Sequence, residues 1–246
     1  MDIKLLSAAV KIGADRSRLE RIFLNGYGEV MQKKEDLPAQ LPGITSLRDY
    51  GGCYLVHGRY LLHATVTCRL AYASMVDVNP LPEFAAAIER VRAQLPQTEF
   101  ETVGGDFREP ALFQGLRETD ASLLYEVILH QENYVEVIRN VCAKTRKFIC
   151  FAQPCLAEEF FTLPASAVLL QFHSEALKDV LRTNSFWPKE PPVERFNSAH
   201  WMWGHTVSHI LDVFKGLGWM LRHGVLIGGV CGPCWDYPLL VFERVV

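Results

Sequence analysis

The residues best suited to chemistry stand where short apolar runs end. YASMVDVN closes on Asp77, about one helix beyond Gly58. A carboxylate fixed at a strand tip can accept two hydrogen bonds from ribose hydroxyls, although an Asp ahead of NPLPEF would also cap the next helix. VGGDFRE supplies a second acid, Asp106, followed by Phe107, which could lie against an adenine ring or simply fill a turn and the core. SLLYEVILHQENY brings Tyr125, Glu126 and His130 to the same level of the chain. In NSAHWMWGHTVSH, His200 and His205 precede a helical stretch, and imidazole titrates near neutral pH, so either could accept a proton from a reacting group. Capping or core packing is the alternative for each. His205 and His209 have the spacing of a helical metal pair, but no third ligand stands in register, so no metal is expected. Cys231-Gly-Pro-Cys234 has redox spacing yet falls between two late strands, where it reads as a turn.

These residues need elements to position them. Apolar positions at helical spacing over residues 2–26, broken at Gly13, predict two short helices. A polar link, QKKEDLPAQLPG, follows. From residue 52 onward, runs rich in β-branched and aromatic residues predict strands at 53–58, 72–78, 99–105, 121–129, 147–154, 220–229 and 238–245. Helical patterns fall between them near 61–70, 82–95, 110–117, 132–144, 156–178 and 206–218. Strands alternating with helices imply right-handed crossovers and a mostly parallel sheet covered on both faces. CGPCWDY is too short to hold a helix, so the last two strands must pair antiparallel. The fold expected is a three-layer α/β sandwich with seven strands and a C-terminal hairpin. Residues 1–45 form an N-terminal helical lid or arm, and 46–246 the main domain.

The chain has 246 residues, 49% hydrophobic and 22% charged, which is enough apolar material for one substantial core. The net charge of -3, with Lys and Arg scattered, lacks the electrostatic footprint of a nucleic-acid binder. Charges near the start, beginning at Asp2, fit neither a secretory signal nor a membrane anchor, so a soluble cytoplasmic protein is expected. Its 7 cysteines are odd in number and lie mostly in apolar runs, where a thiol acts as a small hydrophobe. The stretch from Phe160 to Trp203 is rich in aromatics and holds the turn-forming WPKEPPVE. Such a segment can build an apolar pocket.

In the order and spacing of these features, residues 50–246 resemble the Rossmann-like class I S-adenosylmethionine-dependent methyltransferases. Asp77, with Val78 beside it, is similar to that family's ribose-binding acid and its neighbour. Asp106-Phe107 is similar to the adenine-contacting pair, and EVILHQ at 126–131 resembles a fourth-strand motif of small-molecule members. HWMWGHTVSHILDVFKGLGW resembles the last helix, ending at Gly218-Trp219. The family's first loop reads as an acid followed by G-x-G-x-G. Aligned on Leu55-Val56-His57-Gly58-Arg59-Tyr60, the loop keeps Gly58 alone, and Tyr60 stands in the place of a glycine with its ring expected to turn outward. Asp49, Glu126 or a backbone carbonyl would then replace the missing acid.

The resemblance implies S-adenosyl-L-methionine as cofactor, bound by Gly58, Asp77, Val78, Asp106, Phe107, Tyr125, Glu126 and His130. It implies methyl transfer to an oxygen or nitrogen of a small aromatic or apolar acceptor, with His200 or His205 as the proton acceptor. A catalytically inactive relative serving as a binding or partner subunit is the alternative. Partners expected are the small-molecule acceptor and either a second copy or a related subunit, with neither nucleic acid nor membrane.

Overall fold

The computed structural model describes residues 27–53, 56–80, 82–107, 109–161, 165–169, 203–230 and 235–245. The helices expected within 2–26, His200 and the Cys231–Cys234 turn lie outside the described residues. Helix α1 (Tyr27–Ala39) precedes strand β1 (Ser46–Tyr50), and α2 (Arg59–Cys68) leads into β2 (Tyr72–Asp77). Then follow α3 (Pro82–Arg92), β3 (Glu99–Gly104), α4 (Pro110–Gly115) and β4 (Thr119–Tyr125). A 3-10 turn (Ile128–His130) and α5 (Tyr134–Ala143) connect to β5 (Thr145–Ala152) and its short continuation β6 (Cys155–Leu156). Next come α6 (Glu158–Phe161), β7 (Ala167–Leu169), β8 (Trp203–His205) and α7 (Val207–Gly216). Two long strands, β9 (Trp219–Gly228) and β10 (Trp235–Arg244), end the chain.

The main sheet runs β3-β2-β1-β4-β5-β10, with β9 on the other edge of β10 and β6 extending the β5 side. Pairs from β3 to β5 are parallel, and β10 is antiparallel to β5, β6 and β9. This is the expected three-layer α/β architecture with its C-terminal hairpin. Because strand order reverses between β1 and β4, a crevice opens beyond their carboxyl ends. One face of the sheet packs Leu47, Met75 and Leu123 against α1, α2 and α3 through Val30, Leu61 and Phe84. The other packs Tyr50, Leu124 and Phe151 against α5 and α7 through Val137, Ile210 and Phe214. Among the described residues no helix is long and apolar enough to cross a membrane.

Several expectations need correction. The first strand is not 53–58 but 46–50, SLRDY, buried along its whole length despite Arg48 and Asp49 in its middle. Cys53 and Val56 are core residues, so their apolarity marks burial and not extension. The polar link is largely helix α1. Val30, Met31, Lys34, Leu37 and Leu41 share a buried stripe at helical spacing, and the charged residues between them mask that periodicity. The helix expected over 156–178 is interrupted. Only Glu158–Phe161 is helical in its described part, and Ala167–Leu169 pairs with Trp203–His205 as a small separate sheet.

Polar groups near the amino ends of the strands are well paired. Asp120 accepts from the Thr45 amide and hydroxyl at 2.8 Å each and from the Ser46 amide at 3.2 Å. Arg146 and Lys147 also approach Asp120 at 3.1 and 3.2 Å, and together these contacts hold its carboxyl well below the usual range. The fully buried Arg48 donates to Ser74 Oγ at 3.0 Å, the Arg117 carbonyl at 2.7 Å and Tyr72 Oη at 3.2 Å. It also reaches Glu101 at 3.4 Å. The carboxyl ends of the strands differ.

Candidate functional site

Successive strand residues face opposite sides, so Arg48 and Asp49 point to different layers. Asp49 lies on the face covered by α1 and α2. Its side chain is buried, and neither carboxylate oxygen has a hydrogen-bond partner. Burial pushes this carboxyl up to about 8, the nearby Asp77 charge adds to the rise, and Lys34 pulls against it. A buried polar group without a partner costs free energy that a fold retains for a reason.

The chain after β1 is built to leave that carboxylate room. A Cβ at Gly52 would stand 2.0 Å from Asp49 Oδ2. Gly51 has φ +77°, and a Cβ there would meet Val127 Cγ2 at 2.8 Å. The Gly51 amide donates to the Val76 carbonyl at 2.8 Å, tying the loop to β2. At its far end Gly58, φ 73°, stands at the N-cap of α2, where a Cβ would fall 2.2 Å from Phe84. The described parts of the connection between β1 and α2 thus hold Gly51, Gly52 and Gly58. Asp49 and Gly51 stand at the end of β1, ahead of the Leu55–Tyr60 stretch on which the glycine pattern was expected. Tyr60 is a residue of the first turn of α2. Its ring is buried, not outward, and its hydroxyl donates to Met31 Sδ at 2.7 Å.

The other expected residues stand at or just beyond the carboxyl ends of β2, β3 and β4. Asp77 ends β2, takes the Cys53 amide on Oδ2 and the Asn79 amide on Oδ1, each at 3.0 Å, and is raised by its burial. Val78, next along, is a large apolar side chain exposed at 42%. Phe107 packs edge-on to Tyr50 at 5.9 Å and lies beneath Gly51. Asp106 is half-buried just after β3. Glu126 follows β4 with φ 55°, an uncommon conformation for a side-chain-bearing residue. Such strain concentrates at working sites. Tyr125 is buried and donates to the Lys34 carbonyl at 3.2 Å, while His130 sits half-buried at the end of the 3-10 turn.

A second group lies beyond β5. His205 is fully buried; its Nδ1 contacts Gln153 Nε2 at 3.0 Å, and its Nε2 has no partner. Gln153 Oε1 is likewise buried and unpartnered. Tyr134 packs on the His205 ring at 4.5 Å between centroids and hydrogen-bonds His209 Nε2 at 2.7 Å. The His205 and His209 rings stack at 6.0 Å rather than converging on a common point. Burial lowers His205 to about 3 and lowers His209 as well, so both imidazoles stay neutral at physiological pH.

Sequence patterning missed Gly51, Gly52, Lys34 and Gln153, and offered Asp49 only as a substitute. The Asp-Tyr-Gly-Gly tetrapeptide was the available signal, obscured because SLRDY does not read as a strand. Lys34 and Gln153 carried none.

No protein-family model matches the chain, and no curated protein matches its sequence. Solved structures match its fold. The 1,6-didemethyltoxoflavin-N1-methyltransferase of Burkholderia thailandensis, with bound 1,6-didemethyltoxoflavin and S-adenosylhomocysteine, is 12% identical with a TM-score of 0.58, over 97% of this chain and 89% of that one. The [4+2]-cyclase SpnF is 12% identical with a TM-score of 0.57, over 89% of this chain and 83% of that one. An O-methyltransferase family protein of Burkholderia thailandensis is 15% identical with a TM-score of 0.56 over 87% of this chain, which spans only 56% of that protein.

Proposed function

From the premise that this chain has the fold of the class I S-adenosylmethionine-dependent methyltransferases, we propose that it binds S-adenosylmethionine and transfers a methyl group to an oxygen or nitrogen of a small, aromatic or apolar molecule. The observation that carries this reading is Asp49. A carboxyl buried without a partner, beside a glycine whose Cβ would strike it, can exchange its proton for a cation. An amino-acid ammonium supplies that cation.

In this reading Asp49 holds the cofactor's amino group and Asp77 its ribose hydroxyls. Gly51, Gly52 and Gly58 allow close backbone approach. Val78, Asp106 and Phe107 border the adenine, and Tyr125, Glu126 and His130 lie on the β4 side. S-adenosylmethionine, when bound, supplies an electrophilic methyl group on a sulfonium. The chain's own work is then to orient the acceptor and keep water out, the positioning that dominates such transfers. His205 serves the acceptor through Nε2, at which a neutral imidazole can hold a hydrogen bond. Its depressed basicity suits it to orienting the nucleophile better than to storing a proton for long. His200 is retained as the alternative proton acceptor, and residues 1–45 as a lid over the acceptor.

A fold shared with a [4+2]-cyclase leaves room for a second reading, a methyltransferase-like binding or partner subunit that does not transfer methyl groups. Calorimetry with S-adenosylhomocysteine tests the common premise. Binding should also depend on pH. The free Asp49 is largely protonated below about 8, whereas a bound ammonium requires the carboxylate, so association releases a proton. Affinity should therefore strengthen from pH 6 to pH 8, by at most roughly tenfold per unit, and level off above. A dissociation constant unchanged across that range would remove Asp49 from the amino group.

A further inference from the structure

Lys34 is a lysine of α1 that does not reach solvent. Its side chain is 1% exposed, and Nζ lies 2.6 Å from Glu126 Oε1. The same ammonium stands over the rings of Tyr60, Tyr125 and Tyr237, at 5.3, 5.5 and 5.2 Å from their centroids. Tyr237 also donates to Glu126 Oε1, fixing the carboxylate among the rings. Asp49 lies within the field of the same charge. A carboxylate with ring faces around it is a cation site by construction. Aromatic faces attract cations through their quadrupole, most strongly where water is excluded.

Resting on the adenosyl-cofactor reading above, we propose that Glu126 with the rings of Tyr60, Tyr125 and Tyr237 forms a site for the sulfonium end of the cofactor, and that Lys34 is its tethered occupant. Two cations cannot share one half-buried carboxylate among these rings without repulsion. The sulfonium therefore enters as the ammonium leaves. An ammonium rides a flexible four-carbon stem, so it can swing away from Glu126, at the cost of that ion pair. A sulfonium has no N–H donors to hydrate and is the better match to ring faces, as quaternary ammonium ligands are. After transfer the cofactor's sulfur is neutral, and Lys34 can return. Lys34 thus discriminates between charged cofactor and neutral product by weakening the hold on the former and leaving the latter nearly unaffected.

The test is titration calorimetry of the wild type and of Lys34→Gln with S-adenosylmethionine, S-adenosylhomocysteine and trimethylsulfonium. Lys34→Met is prepared alongside, and melting curves decide which variant is folded and carries the comparison. Removing the tethered cation should tighten S-adenosylmethionine roughly tenfold, with a much smaller effect on S-adenosylhomocysteine. Trimethylsulfonium should bind the variant and not the wild type. Equal weakening of both adenosyl ligands would mean that Lys34 holds the carboxylate they share, and the proposal fails. If trimethylsulfonium ignores the variant while the wild type still binds S-adenosylhomocysteine, the cage is refuted and the cofactor reading stands. If neither protein binds S-adenosylhomocysteine, the cofactor reading falls and takes this inference with it.

Discussion

Asp49→Asn is expected to raise the melting temperature of the free protein while abolishing its binding of S-adenosylhomocysteine. The two effects share one cause. In the unfolded chain the Asp49 carboxyl has its ordinary value near 3.8, and in the folded protein burial holds it at about 8. Between those values the unfolded state has released its proton and the folded state has not, so stability falls as pH rises from about 4 towards 8. The nearly isosteric amide removes that cost and keeps the shape. A gain on the order of 1–3 kcal/mol at neutral pH is expected, from removal of the cost of keeping a buried carboxyl protonated. In a chain of this size each kcal/mol corresponds to roughly 2–4 °C. Scanning calorimetry at pH 5 should show a smaller gain than at pH 7, because pH 5 lies closer to the ordinary carboxyl value near 3.8, where the cost of keeping the proton in the folded state begins. Ligand affinity should drop at both. A variant less stable than the wild type would assign Asp49 to the framework and take it out of the site.

The neighbouring residue should behave in the opposite way. Arg48→Met is expected to destabilise the protein by about 3 kcal/mol, the low end for breaking a buried ion pair, because Glu101 retains partial access to water. The arginine satisfies Ser74, Tyr72 and the Arg117 carbonyl in one place, and methionine satisfies none of them. Urea unfolding should show a lower midpoint with an unchanged slope. The folded fraction should bind S-adenosylhomocysteine normally, since Arg48 lies on the other face of β1 and towards its amino end. Impaired binding at full folding would overturn this division between adjacent residues.

That division shows how far patterning reaches. Periodicity was enough for β2, β3, β5 and the β9–β10 pair, because their apolar runs are long and bounded by turn residues. The position of Asp77 at the end of β2 followed from that alone, as did Asp106-Phe107 after β3. The antiparallel ending followed from a connection too short for a crossover.

Patterning failed where a polar residue is buried. SLRDY carries a guanidinium and a carboxylate through the centre of the sheet, and composition cannot say that cross-strand partners satisfy the first while a glycine shelters the second. The first strand is therefore expected one segment late, on apolar residues that belong to the core. Lys34 was hidden for a related reason. Among Lys33, Glu35 and Asp36 it reads as part of a polar link, and only the approach of Tyr60, Tyr125 and Tyr237 from three distant parts of the chain makes it a buried cation. Sequence determined the order of the elements and the acids at their tips, because both depend on local spacing. Tertiary structure alone decided which charges lost their water, because desolvation depends on neighbours that local spacing does not encode.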